Sequence, residues 1–174
     1  PSVDTVLTSS TATYFPCDSC SSCGDHSEIT IPNQVSFISN NAFYGCVSII
    51  SVLIPTTLSG IGSNAFGSCK SLNSIFIPTS VNFIGEFAFS YCFSLSSFSI
   101  PTSLLVINNG VFDSCTSLSS VSIPTSVSAI NDGAFYYCSS LVSVSIPTSV
   151  SVISKGAFES CSSLRSVSIP TSVL

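Results

Sequence analysis

The chain has no tryptophan, no methionine, a single histidine (His26) and three basic residues, Lys70, Lys155 and Arg165. Charged residues fill 6% of its 174 positions, against about 25% in an ordinary globular domain. Each shortage excludes something. With so few cations and a net charge of −5, the chain cannot neutralise a row of phosphates, which excludes nucleic acid as a partner. The same scarcity disfavours an anionic membrane surface. No apolar run approaches the ~20 residues of a transmembrane helix, so membrane insertion is not expected. With one histidine, no repeat can offer a serine a His–acid pair. The acids Glu86, Asp113, Asp132 and Glu159 recur one to a repeat without a pairing pattern. An enzyme is therefore not expected, nor is a cofactor. No N-x-S/T sequon occurs, so N-glycosylation is not expected.

Serine fills about a quarter of the chain, yet disorder does not follow. Disorder requires low hydrophobicity and high charge. Here the mean hydropathy is +0.64, apolar residues make up 45% of the chain, and their positions are periodic. Ile-Pro stands at Ile31, Ile54, Ile77, Ile100, Ile123, Ile146 and Ile169, always 23 residues apart, mostly within a longer IPTSV block. An uninterrupted period of this length marks a solenoid, in which each unit buries its apolar face against its neighbours.

With the isoleucine of Ile-Pro as slot 1, the slots separate by role. Slot 5 is Val or Leu, slot 8 always Ile, slot 13 always Phe and slot 16 always Cys (Cys46, Cys69, Cys92, Cys115, Cys138, Cys161). Slot 19 is Ile or Leu, and slot 22 is Val, Ile or Phe. The run from slot 19 to slot 1 ends in β-branched alternation, which predicts a short strand. Proline then stops the ladder, because it has no N–H to donate. Asn, Gly, Ser and Asp at slots 9 to 11 predict a turn. The following segment, as in Gly133–Cys138, suits a short helical or 3-10 turn. Stacked strands would form a parallel sheet at ~4.8 Å spacing. Successive slot-16 thiols would run parallel, a poor geometry for bridging, so the six are expected to be inert and buried.

The pattern L-x-x-V-x-IP-x-S-V-x-x-I-x-x-x-AF-x-x-C resembles the BspA-type leucine-rich repeat over residues 31–174, that is, six full repeats and the start of a seventh. Val111 in place of Ala and Phe98 at an aliphatic slot are its departures. The resemblance implies an α/β solenoid: a right-handed superhelix with a parallel β-sheet on the concave face and short helical or 3-10 segments on the convex face. It also implies an extracellular or cell-surface protein used in adhesion or protein binding.

Residues 1–30 carry the same frame in degenerate form and are expected to cap the core. Their Cys17-x-x-Cys20-x-x-Cys23-x-x-His26 run invites a metal reading, but four ligands so close together do not match the paired spacing of structural zinc sites. A Cys17–Cys20 disulfide in an oxidising compartment, or a bridge to another chain, is the preferred reading. The chain begins at Pro1 without Met, which removal of a signal peptide would explain and so would a partial sequence. It stops just inside a seventh repeat, so further chain, another subunit or a further domain is expected to cover that end.

The candidate binding face follows from the strand slots. Slot 21 is Ser51, Ser74, Ser97, Ser120, Ser143 and Ser166; slot 23 is Leu53, Phe76, Ser99, Ser122, Ser145 and Ser168. These make uncharged hydroxyl ladders with an apolar end at Leu53 and Phe76. The third repeat adds Phe83, Phe87, Tyr91 and Phe93, a candidate aromatic contact patch whose alternative is local core filling. Three functions fit: adhesion or recognition of a protein or glycan, self-association into a homo-oligomer, surface layer or filament, and ice binding by the Ser/Thr ladders.

Overall fold

The computed structural model describes residues 27–173. Thirteen short strands follow one another: β1 (Glu28–Thr30), β2 (Phe37–Ile38), β3 (Ser51–Leu53), β4 (Gly60–Ile61), β5 (Ser74–Ile75), β6 (Phe83–Ile84), β7 (Ser97–Ser99), β8 (Val106–Ile107), β9 (Ser120–Ser122), β10 (Ala129–Ile130), β11 (Ser143–Ser145), β12 (Val152–Ile153) and β13 (Ser166–Ser168). Odd-numbered strands pair in parallel with odd ones, and even with even. Every pairing joins residues 23 apart, as in Ser143↔Ser166 and Ile130↔Ile153. The molecule is a parallel β-solenoid with two rows of strands and one coil per repeat.

The recurring IPTSV block has a distinct reason for each residue. Ile is buried in the core from Ile31 to Ile146 and exposed at Ile169 in the last coil. The proline carbonyl accepts a hydrogen bond from the slot-5 N–H, as in Val81 to Pro78 at 3.0 Å and Val127 to Pro124 at 3.1 Å. Proline at the start of this turn therefore costs no donor. The slot-4 serine hydroxyl donates to the slot-5 carbonyl of the preceding coil: Ser103 to Val81 at 2.5 Å, Ser126 to Leu104 at 2.8 Å, Ser149 to Val127 at 2.7 Å and Ser172 to Val150 at 2.6 Å. Further serines, among them Ser59 and Ser128, donate to the preceding coil in the same way. Much of the serine content thus bonds coil to coil.

The expected convex helical or 3-10 segments are not formed: no helix is present among the described residues, and slots 9 to 18 run as successive turns. A helix sends every N–H to the carbonyl four residues back. Here alternate N–H groups leave the coil. Asn41, Phe43 and Gly45 donate to Ser63, Ala65 and Gly67 of the next coil at 2.9, 2.8 and 2.7 Å, while Ala42, Tyr44 and Cys46 donate three residues back. Slots 11 and 15 also hold left-handed φ throughout, for example Asn64 at 54° and Ser68 at 60°. That conformation interrupts a right-handed helix twice per coil.

The core is one continuous column. Phe43, Phe66, Phe89, Phe112, Phe135 and Phe158 stack nearly parallel, with centroids 5.2 Å apart for Phe43–Phe66, Phe112–Phe135 and Phe135–Phe158. One joint differs. Phe98, at the aliphatic slot, wedges against Phe89 at 5.0 Å and Phe112 at 4.7 Å, and the Phe89–Phe112 spacing opens to 6.0 Å. Both strand rows are interrupted here, between β5 and β7 and between β6 and β8. Coil-to-coil bonds nevertheless continue across the joint, as in Ser96 to Asn73 at 3.3 Å beside the odd-strand row and Phe89 to Val111 at 3.0 Å on the turn side.

Candidate functional site

Two surfaces collect the candidate residues. On the odd-strand row the alternation of a half-buried strand places slots 21 and 23 outward and slot 22 inward: β9 and β11 both read exposed, buried, exposed. The serines Ser51, Ser74, Ser97, Ser99, Ser120, Ser122, Ser143, Ser145, Ser166 and Ser168 line this face, and none of their hydroxyls has a hydrogen-bond partner among the described residues. They differ in this from the slot-4 serines, which are all committed to a neighbouring carbonyl in the last four coils. A shallow depression of about 330 Å³ lies over Ser97, Ser99, Ser120 and Ser122. At one end of the ladder stand Leu53 and Phe76, 65% and 73% exposed.

The four aromatics of the third repeat are all at the surface and take up three arrangements. Phe83 on β6 stacks with Phe37 on β2 at 6.4 Å. The two rings meet across Gly60, where a Cβ would lie 2.6 Å from the Phe37 ring. Tyr91 and Phe93 meet edge to face at 6.1 Å, and the Lys70 ammonium lies 5.9 Å from the Phe93 centroid. Phe87 lies on Gly110, where any Cβ would overlap its ring. Its N–H donates to the Asn109 carbonyl at 2.9 Å, and beside it the Asn109 amide donates to the Glu86 carboxylate at 3.0 Å.

Phe87 and Tyr91 stand at φ 56° and 57°, a region bulky side chains avoid. Such a placement costs on the order of 1–3 kcal/mol. Other coils fill slot 11 with Asn or Gly, which accept this conformation readily. Sequence reasoning passed over Phe37, Tyr44 and Leu105, all at the surface, Tyr44 and Leu105 being 54% and 62% exposed. A signal for two of them was present: Phe37 and Tyr44 are each followed 23 residues later by the glycine their ring covers, Gly60 and Gly67.

The cysteine ladder is chemically quiet. Cys69, Cys92, Cys115, Cys138 and Cys161 are free and buried. Each thiol donates to a slot-13 carbonyl of the preceding coil, as in Cys69 to Phe43 at 3.1 Å and Cys138 to Phe112 at 3.2 Å. Burial pushes the Cys69 thiol up to about 12 and raises Cys92, Cys115, Cys138 and Cys161 as well. The expectation of six inert thiols fails at Cys46, which is disulfide-bonded to a partner outside the described residues. The carbonyl its thiol would use by the ladder rule belongs to position 20, a cysteine instead of phenylalanine, so the phenylalanine–cysteine register does not extend below it. The Cys17–Cys20 bridge and the Cys17, Cys20, Cys23, His26 run lie outside the described residues. Among the described residues no group of His, Cys, Asp or Glu could hold a metal ion, and no helix is long and apolar enough to cross a membrane.

Parallel coils of fixed length, a phenylalanine and leucine core and an exposed strand row define a leucine-rich repeat solenoid. Six copies of a BspA type leucine-rich repeat region match residues 13–139 and 82–174, and the chain belongs to that family. Its fold is shared with a leucine-rich repeat protein from Bacteroides ovatus at 32% identity and TM-score 0.82, over 87% of this chain and 39% of that one. The T. pallidum leucine-rich repeat protein is 29% identical over 81% of this chain and 79% of its own length, at TM-score 0.68. A leucine-rich cell surface protein from Faecalibacterium prausnitzii is 30% identical over 83% and 48%, at TM-score 0.63. The chain thus spans about two-fifths of the Bacteroides ovatus protein. No curated protein sequence matches it.

Proposed function

We propose that this chain is a non-enzymatic recognition module exposed outside the cell, which grips a protein partner on its odd-strand row. One observation carries the reading. Leu53 and Phe76 are the most exposed large apolar side chains on a strand row otherwise lined with serine and, on β1, Glu28 and Thr30, and they occupy the same slot on adjacent coils, where later coils hold Ser99 and Ser122. Exposed apolar anchors within a polar surround are the usual centre of a protein contact. The flanking serines supply hydroxyls not engaged within the fold. The description of the Faecalibacterium prausnitzii relative as a cell surface protein supports the location. Ice binding fits less well, because the strand row is interrupted between β5 and β7 and Leu53 and Phe76 break the hydroxyl pattern.

The test replaces both anchors by the residue of the later coils. Leu53→Ser/Phe76→Ser should leave the fold and melting temperature unchanged and lower adhesion of chain-coated beads to host-surface protein at least tenfold, in the range of an interface losing one or two anchors worth about 2 kcal/mol each. Undiminished adhesion would overturn the reading. A wild-type dimer in light scattering that this variant dissolves would reassign the surface to self-association.

A further inference from the structure

We propose that the third repeat carries a separate binding site for a neutral saccharide, in which one pyranose ring lies on the bared face of Phe87 and its hydroxyls bond to Glu86 and Asn109. The proposal rests on reading the chain as a recognition module, but it uses a different surface from Leu53 and Phe76.

Four observations converge on it. First, Gly110 makes room for the Phe87 ring, since any Cβ there would overlap it. Phe87 packed on this glycine is still 38% exposed. A residue recruited to fill the core would be buried, as Phe89 two positions later is. Second, Phe87 holds left-handed φ at a slot where the other coils use Asn41, Asn64, Gly110, Gly133 and Gly156. An aromatic held there against backbone preference points to a use for its ring.

Third, polar side chains are next to the aromatic in the chain. Glu86 and Asn109 adjoin Phe87 and Gly110 in the chain and bond to each other through one carboxylate oxygen and the amide nitrogen. The second carboxylate oxygen and the Asn109 side-chain Oδ1 retain acceptor capacity. A pyranose has the matching form: a flat set of C–H groups, attracted to the electron-rich ring face, bounded by hydroxyls that need acceptors. Fourth, the charge is right for a neutral sugar. Glu86 and the nearby Asp113 would repel an anionic one, and the Lys70 ammonium is directed to Phe93. A protein partner would favour a contiguous apolar patch, whereas among the described residues Phe87 has no ring contact with another exposed aromatic. Tyr44 on Gly67 repeats the ring-on-glycine device.

The experiment titrates the 174-residue chain with neutral gluco-, galacto-, manno- and N-acetylglucosamine oligosaccharides, followed by NMR shifts and calorimetry. Wild type should bind at least one set at millimolar or lower concentration. Phe87→Asn installs the residue of the first two coils, so it should melt at the same or a higher temperature while binding at least about tenfold more weakly. Asn109→Ala should weaken binding without altering the fold, and Leu53→Ser/Phe76→Ser should bind saccharide as wild type does. The proposal falls if no neutral oligosaccharide binds, or if Phe87→Asn binds like wild type. If saccharides fail while adhesion to protein still requires Leu53 and Phe76, the saccharide site is overturned and the recognition reading stands.

Discussion

Raising the pH should unfold this protein through its buried thiols. In the unfolded chain a cysteine ionises around its ordinary pKa of 9.0, whereas Cys69 in the fold is held at about 12, and Cys92, Cys115 and Cys138 are also strongly raised. The cause is desolvation: each thiolate would sit in a column of phenylalanine and leucine, next to the carbonyl to which the thiol now donates. Because the folded pKa lies above the unfolded one, the stabilisation is complete below pH 9 and is lost as the pH climbs through the folded pKa, up to about 12 for Cys69. Each proton released only on unfolding costs about 1.4 kcal/mol per pH unit. At pH 10.5 this reaches about 2 kcal/mol for Cys69 alone, and the other raised thiols add in the same direction, against a whole stability of roughly 5–15 kcal/mol for an ordinary domain. Urea unfolding followed by circular dichroism between pH 7 and 11 should show a flat plateau, then a steep fall beginning near pH 9. Cys115→Ser keeps a hydroxyl donor for the Phe89 carbonyl and does not ionise in this range. It should start less stable and lose stability less steeply, by about 1.4 kcal/mol per pH unit. A urea midpoint unchanged from pH 8 to 10.5, or the same slope in Cys115→Ser, would refute the reasoning.

Other outcomes follow from the packing. Phe89→Ala empties a fully buried site that touches Phe66, Phe98 and Phe112; it should cost about 3–5 kcal/mol and divide the denaturant transition into two steps, because each coil is stabilised only by its neighbours. The glycines should separate by what a Cβ would meet. Gly62→Ala and Gly85→Ala would press on backbone atoms of the preceding coil, at 2.6 Å from the Asn40 nitrogen and 2.5 Å from the Ser63 nitrogen, and should lose about 2–3 kcal/mol in thermal melts. Gly60→Ala overlaps the Phe37 ring and meets the Phe83 Cβ at an ordinary 3.6 Å; the ring can swing away, so the change should lose about 1 kcal/mol or less. Among serines, Ser126→Ala removes a coil-to-coil bond and should cost about 1 kcal/mol, whereas Ser120→Ala on the open face should be neutral in the same measurement.

The sequence was sufficient wherever one residue type had to recur for one reason. A fixed spacing of Ile31, Phe43, Cys46, Ile49 and their counterparts could arise only from stacked coils of equal length, so period, strand slots and core were all legible. Inert cysteines were legible for the same reason, except at Cys46, where the register of phenylalanine carbonyls ends. The turn segment was misread because local propensity sees Gly-Ala-Phe and their neighbours as helical. It cannot see that alternate N–H groups are taken by the next coil, 22 residues away. The site was half legible: the outward serines and the Leu53–Phe76 end followed from strand alternation, but one string of residues could not distinguish committed serines from free ones.

By itself, then, the sequence determined the solenoid, because burial in a repeat is a property of slots and every slot is visible along the chain. Tertiary structure decided how the surface aromatics pack: the 23-residue spacing of Phe87 and Gly110 stands in the chain, but the contact between them does not. Whether Phe87 fills a gap or bares a ring depends on what lies beneath it in another coil, and that residue is Gly110, which has no side chain and so makes room for the ring.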